Sequence, residues 1–314
     1  MLAQQLGYRV AVSAPVLLGV ILLGFALMVL VPSDPAAILA GEGATPEVME
    51  RIRRDLGLDR PMHEQFLRYV GRLLQGDFGR SLLNGADVLS EVGRTVLPTV
   101  ELLLASLLVA VPLGIGLGAL AAWWHGHAID RLVMAFAVIG LSTPVFMTAL
   151  LLINFVGVQL GALPVQGRGG PLYTVAGIKH IVLPAVTLAM VLIGPIARMT
   201  RTSMLEVANQ DFVRTARSKG IGEWRVVTRH ILRNALVPTV NLIGLQAGYL
   251  LGGIVIAETI FAWPGMGRLA VNAITSRDTP MAQGTILFLA LSFVLINIVV
   301  DVVSGMLDPR ARRA

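Results

Sequence analysis

Residues 97–124 read LPTVELLLASLLVAVPLGIGLGALAAWW, a run of twenty-eight positions whose only charge is Glu101. About 20 apolar residues in a helix are enough to cross the hydrocarbon core of a bilayer. Five further stretches meet or approach that length: 10–31, 132–160, 181–199, 236–261 and 284–307. The fourth of the six is interrupted by Pro184 and Pro195, and the last carries Asn297 and Asp301. The apolar run at 10–31 exceeds the ~7–15 residues of a signal-peptide core and no A-x-A site follows it, so it reads as a retained span. The expected fold is an all-α integral membrane protein with six transmembrane helices.

Composition agrees. Of 314 residues, 55% are hydrophobic and 14% are charged, with mean hydropathy +0.75. A soluble domain carries about 25% charged residues, so an ordinary cytosolic enzyme and a disordered chain are both excluded. Without cysteine, disulfides, thiolate metal sites and cysteine nucleophiles are excluded too. The net charge of +6 comes from arginine, since Lys179 and Lys219 are the only lysines. In a membrane protein such a bias reads as loop topology rather than nucleic-acid binding.

The segment between the fourth and fifth stretches, 200–235, holds Arg201, Arg214, Arg217, Lys219, Arg225, Arg229 and Arg233. The tail 308–314 adds Arg310, Arg312 and Arg313, whereas the loop at 161–180 has Arg168 and Lys179 alone. The positive-inside rule places both termini and 200–235 in the cytoplasm, with 32–96 and 262–283 outside. The loop 32–96 has helical order of its own. Thr45-Pro46 is a helix start, Gly57 a stop, and Met49, Ile52 and Leu56 recur at helical spacing. A second helix follows Pro61, with Phe66, Val70, Leu73 and Leu74 on its apolar side.

Familiar catalytic patterns are missing. There is no G-x-x-x-x-G-K-[ST] phosphate loop, so the chain does not hydrolyse nucleotide by itself, and no H-E-x-x-H or G-x-S-x-G. His125 and His127 form the one close histidine pair; beside Trp123 and Trp124 they read as an interfacial belt rather than a metal site. Glu101 and Glu258, near span ends, face either a solvated path or the interface. Asn297 and Asp301 share a helix face and suit bonding to a neighbouring helix. Gly114-x-x-x-Gly118 suits close helix packing.

The segment 206–238 reads EVANQDFVRTARSKGIGEWRVVTRHILRNALVP. Asp211 is expected to cap a helix over 212–219, Gly220 to break it, and a second helix to run on to about Asn234. Phe212, Ala216 and Lys219 fall near one face. Apolar residues such as Phe212, Val213, Ile221 and Trp224 exceed what a topology signal needs, and point to a docking element for a partner.

This segment resembles the cytoplasmic loop of ABC importer permeases, whose loose pattern is E-A-A, three residues, then Gly. Arg214-Thr215-Ala216 takes the first place and Gly220 the last; only Ala216 and Gly220 match. The run Arg214-Thr215-Ala216-Arg217-x-Lys219-Gly220, with Arg229, His230, Leu232, Arg233, Asn234 and Pro238 after it, is similar to the dipeptide/oligopeptide (peptide/nickel) branch. So are Asp55-Leu56-Gly57-Leu58-Asp59-Arg60-Pro61, Gly76-Asp77-Phe78-Gly79-Arg80-Ser81, 261–268 (FAWPGMGR), Arg277-Asp278-x-Pro280, and the ending Leu307-Asp308-Pro309-Arg310.

The resemblance implies a type I importer permease, multi-pass in a bacterial plasma (inner) membrane. It implies a second related permease, two ABC ATPase subunits and an extracytoplasmic solute-binding protein as partners, beside membrane lipid and without nucleic acid. ATP and Mg are then bound by the ATPase subunits and no cofactor by this chain. The implied ATPase-docking residues are Asp211, Phe212, Arg214, Thr215, Ala216, Lys219, Gly220 and Glu223. The implied cargo is a dipeptide or oligopeptide, with nickel or glutathione import as alternatives within the branch. A self-sufficient channel or secondary carrier is the rival of another class. It needs ionisable residues along the spans and an inverted repeat, neither of which stands out.

Overall fold

The computed structural model describes residues 15, 17–26, 35–41 and 44–307. Among them every regular element is a helix, apart from an isolated bridge between Arg80 and Asp87. In chain order these are α1 Leu17–Ala26, α2 Pro35–Ala40, α3 Pro46–Leu56, α4 Met62–Leu74, α5 Val88–Trp123 and α6 Ala128–Ser142. There follow α7 Val145–Gln159, α8 Val175–Ala208, α9 Asp211–Ser218, α10 Glu223–Ile260, α11 Met266–Thr275 and α12 Thr279–Leu307.

Helices α5, α8, α10 and α12 are long and apolar enough to cross a bilayer. Helices α6 and α7 pass that test only as a pair bent by 106°. The stretch at 132–160 is thus two helices that meet at a sharp bend rather than one straight helix. Thr143 precedes Pro144 and is held extended at φ −87°, ψ 121°, as the proline ring requires, and this ends α6. Pro184 and Pro195, by contrast, lie inside α8 without ending it. Helix α1 falls within the first apolar stretch. Apart from Pro15, the remainder of that stretch, the N-terminal residues 1–9 and the 308–314 tail lie outside the described residues.

A correction concerns the basic segment. The helix starting at Glu223 does not stop near Asn234 but continues through π-helical turns at Val226–Leu232 into the apolar part of α10. It is the foot of that helix.

The chain forms two compact units, Met1–Thr99 with Pro264–Leu295, and Val100–Trp263 with Ile296–Ala314. In the first, Thr45 is extended before Pro46 at the start of α3, and Gly57 closes that helix at φ 69°. The Gly57 and Leu58 N–H groups donate to Arg54 and Arg53 carbonyls at 3.0 and 2.9 Å, which a left-handed residue permits. Helix α4 sets Phe66 edge-on against Phe25 of α1 at 5.3 Å. The 76–81 and 277–280 motifs, far apart in sequence, meet at Asp278. Its carboxylate accepts the Ser81 hydroxyl and, at 3.2 Å, the Leu82 N–H. Phe78 packs on Phe288 at 5.0 Å above a core of Val88, Val92, Met266 and Met281.

In the second unit α8 is the central element. Its residues Leu188, Leu192 and Ile196 join Leu102, Ile254 and Trp263 in one core. Helices reach α8 through glycine. A Cβ on Gly114 would lie 2.6 Å from Ile196 Cγ2, one on Gly118 would lie 2.4 Å from the Ala197 carbonyl, and one on Gly194 would lie 2.4 Å from the Ala137 carbonyl. The G-x-x-x-G pattern is thus a real contact surface on α5, while Gly116 between its glycines meets nothing within 4 Å.

Candidate docking segment

Helix α8 ends at Ala208, and two residues later α9 begins. Asn209 Nδ2 donates to the Leu205 carbonyl at 3.0 Å, covering a carbonyl that the helix end leaves open. Gln210 is extended at φ −78°, ψ 151° and is the N-cap of α9. Asp211 is therefore the first helical residue rather than the cap, because α8 runs far enough to place Gln210 at the bend. Its carboxylate favours the positive end of the helix dipole and lies 3.8 Å from Arg214, with both side chains solvated.

Helix α9 is held by its apolar edge. Val213 is fully buried and Ala216 nearly so, packed among Met204 and Val207 of α8 and Val226, Ile231 and Ala235 of α10. An eight-residue helix has little stability alone, so this cluster fixes its position. The expected face of Phe212, Ala216 and Lys219 is corrected accordingly: Ala216 turns inward, and Phe212, Thr215 and Lys219 form the outward stripe. The small size of Ala216 serves the chain's own packing.

The helix closes in a Schellman turn. Gly220 takes φ 75°; its N–H donates to the Arg217 carbonyl at 2.9 Å, and the Ile221 N–H donates to the Ala216 carbonyl at 3.4 Å. Ile221 packs against the same apolar cluster. Across the turn Arg217 grips Glu223 with two parallel bonds, Nε to Oε2 at 3.1 Å and Nη2 to Oε1 at 2.6 Å. The guanidinium holds the Glu223 carboxyl below its usual pKa, against the opposing effect of burial. The fork is therefore intact at neutral pH and is lost as the pH falls through that lowered value. As an exposed pair it contributes at most about 1 kcal/mol. Trp224 stands 73% exposed beside Trp123, ring centroids 5.9 Å apart.

A Gly220→Val chain should fold but loosen here. Nothing lies within 4 Å of an added Cβ, so the cost is the backbone conformation alone, about 1–2 kcal/mol. Faster hydrogen exchange over 211–221, with the rest of the chain unchanged, is the expected readout; unchanged protection of α9 would show that the turn does not depend on glycine.

The outward surface thus offers Phe212, Arg214, Thr215, Lys219 and Trp224 on a short, well-anchored frame, with Asp211 and Glu223 at its ends. Exposed aromatic and arginine side chains on a rigid support are the residue types that dominate protein–protein binding energy. Nearby, buried Asp130 pairs with the partly exposed Arg201. No local signal in the sequence links Asp130 to a residue 71 positions along the chain. Glu101, a candidate path residue, pairs with Arg168 at 2.7 Å and so ties α5 to the 160–174 loop. Glu258 is fully buried and Asn297 half-buried. His125 bonds to the Asp130–Arg201 pair, and His127 Nδ1 lies 3.1 Å from the His125 carbonyl.

Residues 114–313 match the family described as the inner membrane component of binding-protein-dependent transport systems, and residues 2–87 match its N-terminal companion family. This chain belongs to that permease family of ABC importers. It is 42% identical over 298 residues to the glutathione transport system permease protein GsiC of Salmonella typhimurium (strain LT2), covering 95% of each chain. Against GsiC of Escherichia coli (strain K12) the identity is 41% over the same length and shares. Among solved structures, the MetNI methionine ABC transporter in an inward-facing conformation aligns with TM-score 0.57 and 21% identity, over 70% of this chain and 97% of that one. An amino acid ABC transporter crystallised with histidines aligns with TM-score 0.52 and 16% identity, over 72% and 94%. The likeness to these structures is one of fold: a type I importer permease. Such a permease is not itself catalytic, since the ATPase of an ABC transporter is a separate subunit.

Proposed function

We propose that this chain forms half of the translocation path of an ATP-driven importer of short peptides, with a glutathione-like tripeptide as its cargo. The identity to GsiC over 95% of both chains supports this reading more than any other observation. It favours the glutathione alternative over general dipeptide or oligopeptide uptake. Nickel import has less support, since the His125–His127 pair is engaged with its own neighbours. A second related permease completes the path, a solute-binding protein delivers cargo from outside, and two ATPase subunits bind ATP and Mg. The segment around α9 docks on the ATPases and is displaced as they close, a rigid-body switch between two packed states. Both termini and 200–235 face the cytoplasm in this reading, by the arginine asymmetry.

Two measurements test it. The complete complex in proteoliposomes should take up labelled glutathione with ATP, in competition with short peptides. Uptake of nickel alone, or of dipeptides with glutathione excluded, overturns the cargo. Because the chain has no cysteine, single cysteines report topology cleanly. Tyr173→Cys, at a site 89% exposed, should label from outside and Lys219→Cys only after the membrane is opened. Outside labelling at 219 reverses the orientation.

A further inference from the structure

The Asp130 carboxylate is 4% exposed and fully engaged. Its Oδ1 accepts Arg201 Nε at 2.6 Å; its Oδ2 accepts Arg201 Nη2 at 2.8 Å and the Gly126 N–H at 3.0 Å. His125 Nδ1 lies 3.1 Å from Oδ2 and 3.0 Å from Arg201 Nη2, within reach of both partners. A parallel guanidinium–carboxylate fork fixes direction as well as distance. This one joins the first turn of α6 to α8, one turn before Met204, where α8 enters the cluster that holds α9.

The same two helices touch at a second place. A Cβ on Gly194 would meet the Ala137 backbone, and one on Gly140 would lie 3.1 Å from the Met190 carbonyl. That contact lies seven residues from Arg201 along α8, or about 10 Å at 1.5 Å per residue. Close contacts confined to about one turn of α8, Met190 to Gly194, leave a pivot about which the helices can swing. A second, directional contact an arm's length away removes that freedom.

We infer that the Asp130–Arg201 fork, seated on Gly126 and His125, is the positioning clamp that makes α6 follow α8 when α9 is displaced. The clamp rests on the importer reading above and adds the load path within the chain. Without it, displacement of α9 swings α8 about Gly194 and leaves α6 behind, so ATP is hydrolysed without opening the path. Asp130 and Arg201 act through the helices they join.

The test uses the reconstituted complete complex, with ATP turnover and peptide uptake measured on the same vesicles. Asp130→Asn and Arg201→Gln should assemble with the ATPases, keep ATP turnover within about twofold, and lose uptake about tenfold, within the range of inter-site coupling. The exchanged pair Asp130→Arg with Arg201→Asp should regain part of that loss. Asp130→Cys with Arg201→Cys, joined by a short reducible bis-thiosulfonate, should transport when joined and idle when reduced. An unchanged ratio of uptake to hydrolysis in the single variants overturns the clamp. So does a parallel loss of both activities, or failure of every variant to assemble, since either makes the pair a folding element. A parent complex without ATP-dependent uptake sinks the importer reading and the clamp together, whereas a transporting parent with normal variants sinks the clamp alone.

Discussion

A Gly194→Leu chain is expected to enter the membrane and fail to assemble its central helix pair. Insertion depends on the apolar lengths of α6 and α8, which the change leaves intact. Packing does not survive, because the Cβ alone would lie 2.4 Å from the Ala137 carbonyl oxygen, 3.2 Å from its carbon and 3.4 Å from Cα. Those are backbone atoms of another helix and cannot rotate away, so the axes must separate along α8. Better helix propensity than glycine returns about 1 kcal/mol, against an overpacking cost of about 3 kcal/mol or more in a site with no room to adjust. Gly118→Leu is expected to behave the same way, with Ala197 and Thr200 as the obstacles. Gly116→Leu is the control, having open space around it. Size-exclusion profiles of detergent-solubilised protein after a temperature ramp should show early loss for the 194 and 118 variants and near-parental behaviour at 116. Equal melting of all three would mean that the glycine contacts do not hold the helices together.

The second large effect is expected from Val213→Asp. Val213 has no exposed surface and packs within a cluster of apolar side chains. Burying an unpaired charge costs several kcal/mol, more than an eight-residue helix contributes by itself. Helix α9 should leave the end of α8 while the apolar helices stay folded. Trypsin should then cut rapidly after Arg214, Arg217 or Lys219, and co-purification of ATPase subunits should fall at least about thirtyfold, as for loss of a main anchor worth about 2 kcal/mol. Thr215→Asp, on the outward stripe, should leave trypsin resistance unchanged and weaken docking only. Parental ATPase recovery by the Val213→Asp chain would show that α9 is not where the ATPases bind.

Several features were legible in the residues alone because each depends on local chemistry. Long apolar runs mark the helices able to cross a bilayer. The Gly57 and Gly220 helix stops follow from the steric cost of left-handed backbone for any other residue, and both glycines do take positive φ. The resemblance carried by Ala216 to Gly220 and the motifs around it led to the permease family, since turns and caps need particular residue types at fixed spacing. The break at Thr143–Pro144 was also legible, through the restriction before proline, but the apolar run on either side masked it.

What the sequence could not supply is the direction in which side chains point and the partners they find at a distance. Ala216 lies inward rather than outward because α8 runs to Ala208 before the chain bends, which sets the rotation of α9 on its cluster. The Asp278 carboxylate meets Ser81, and Asp130 meets Arg201, only after helices have packed. Composition and hydrophobic period thus determined that this is a helical membrane protein with an ordered basic segment, and the resemblance of its motifs added the permease family. Tertiary packing decided which glycines touch α8, which face of α9 is free and where the buried charges pair. Helix formation is fixed by neighbours a turn away, whereas each of those pairings closes a loop of dozens of residues that no local pattern encodes.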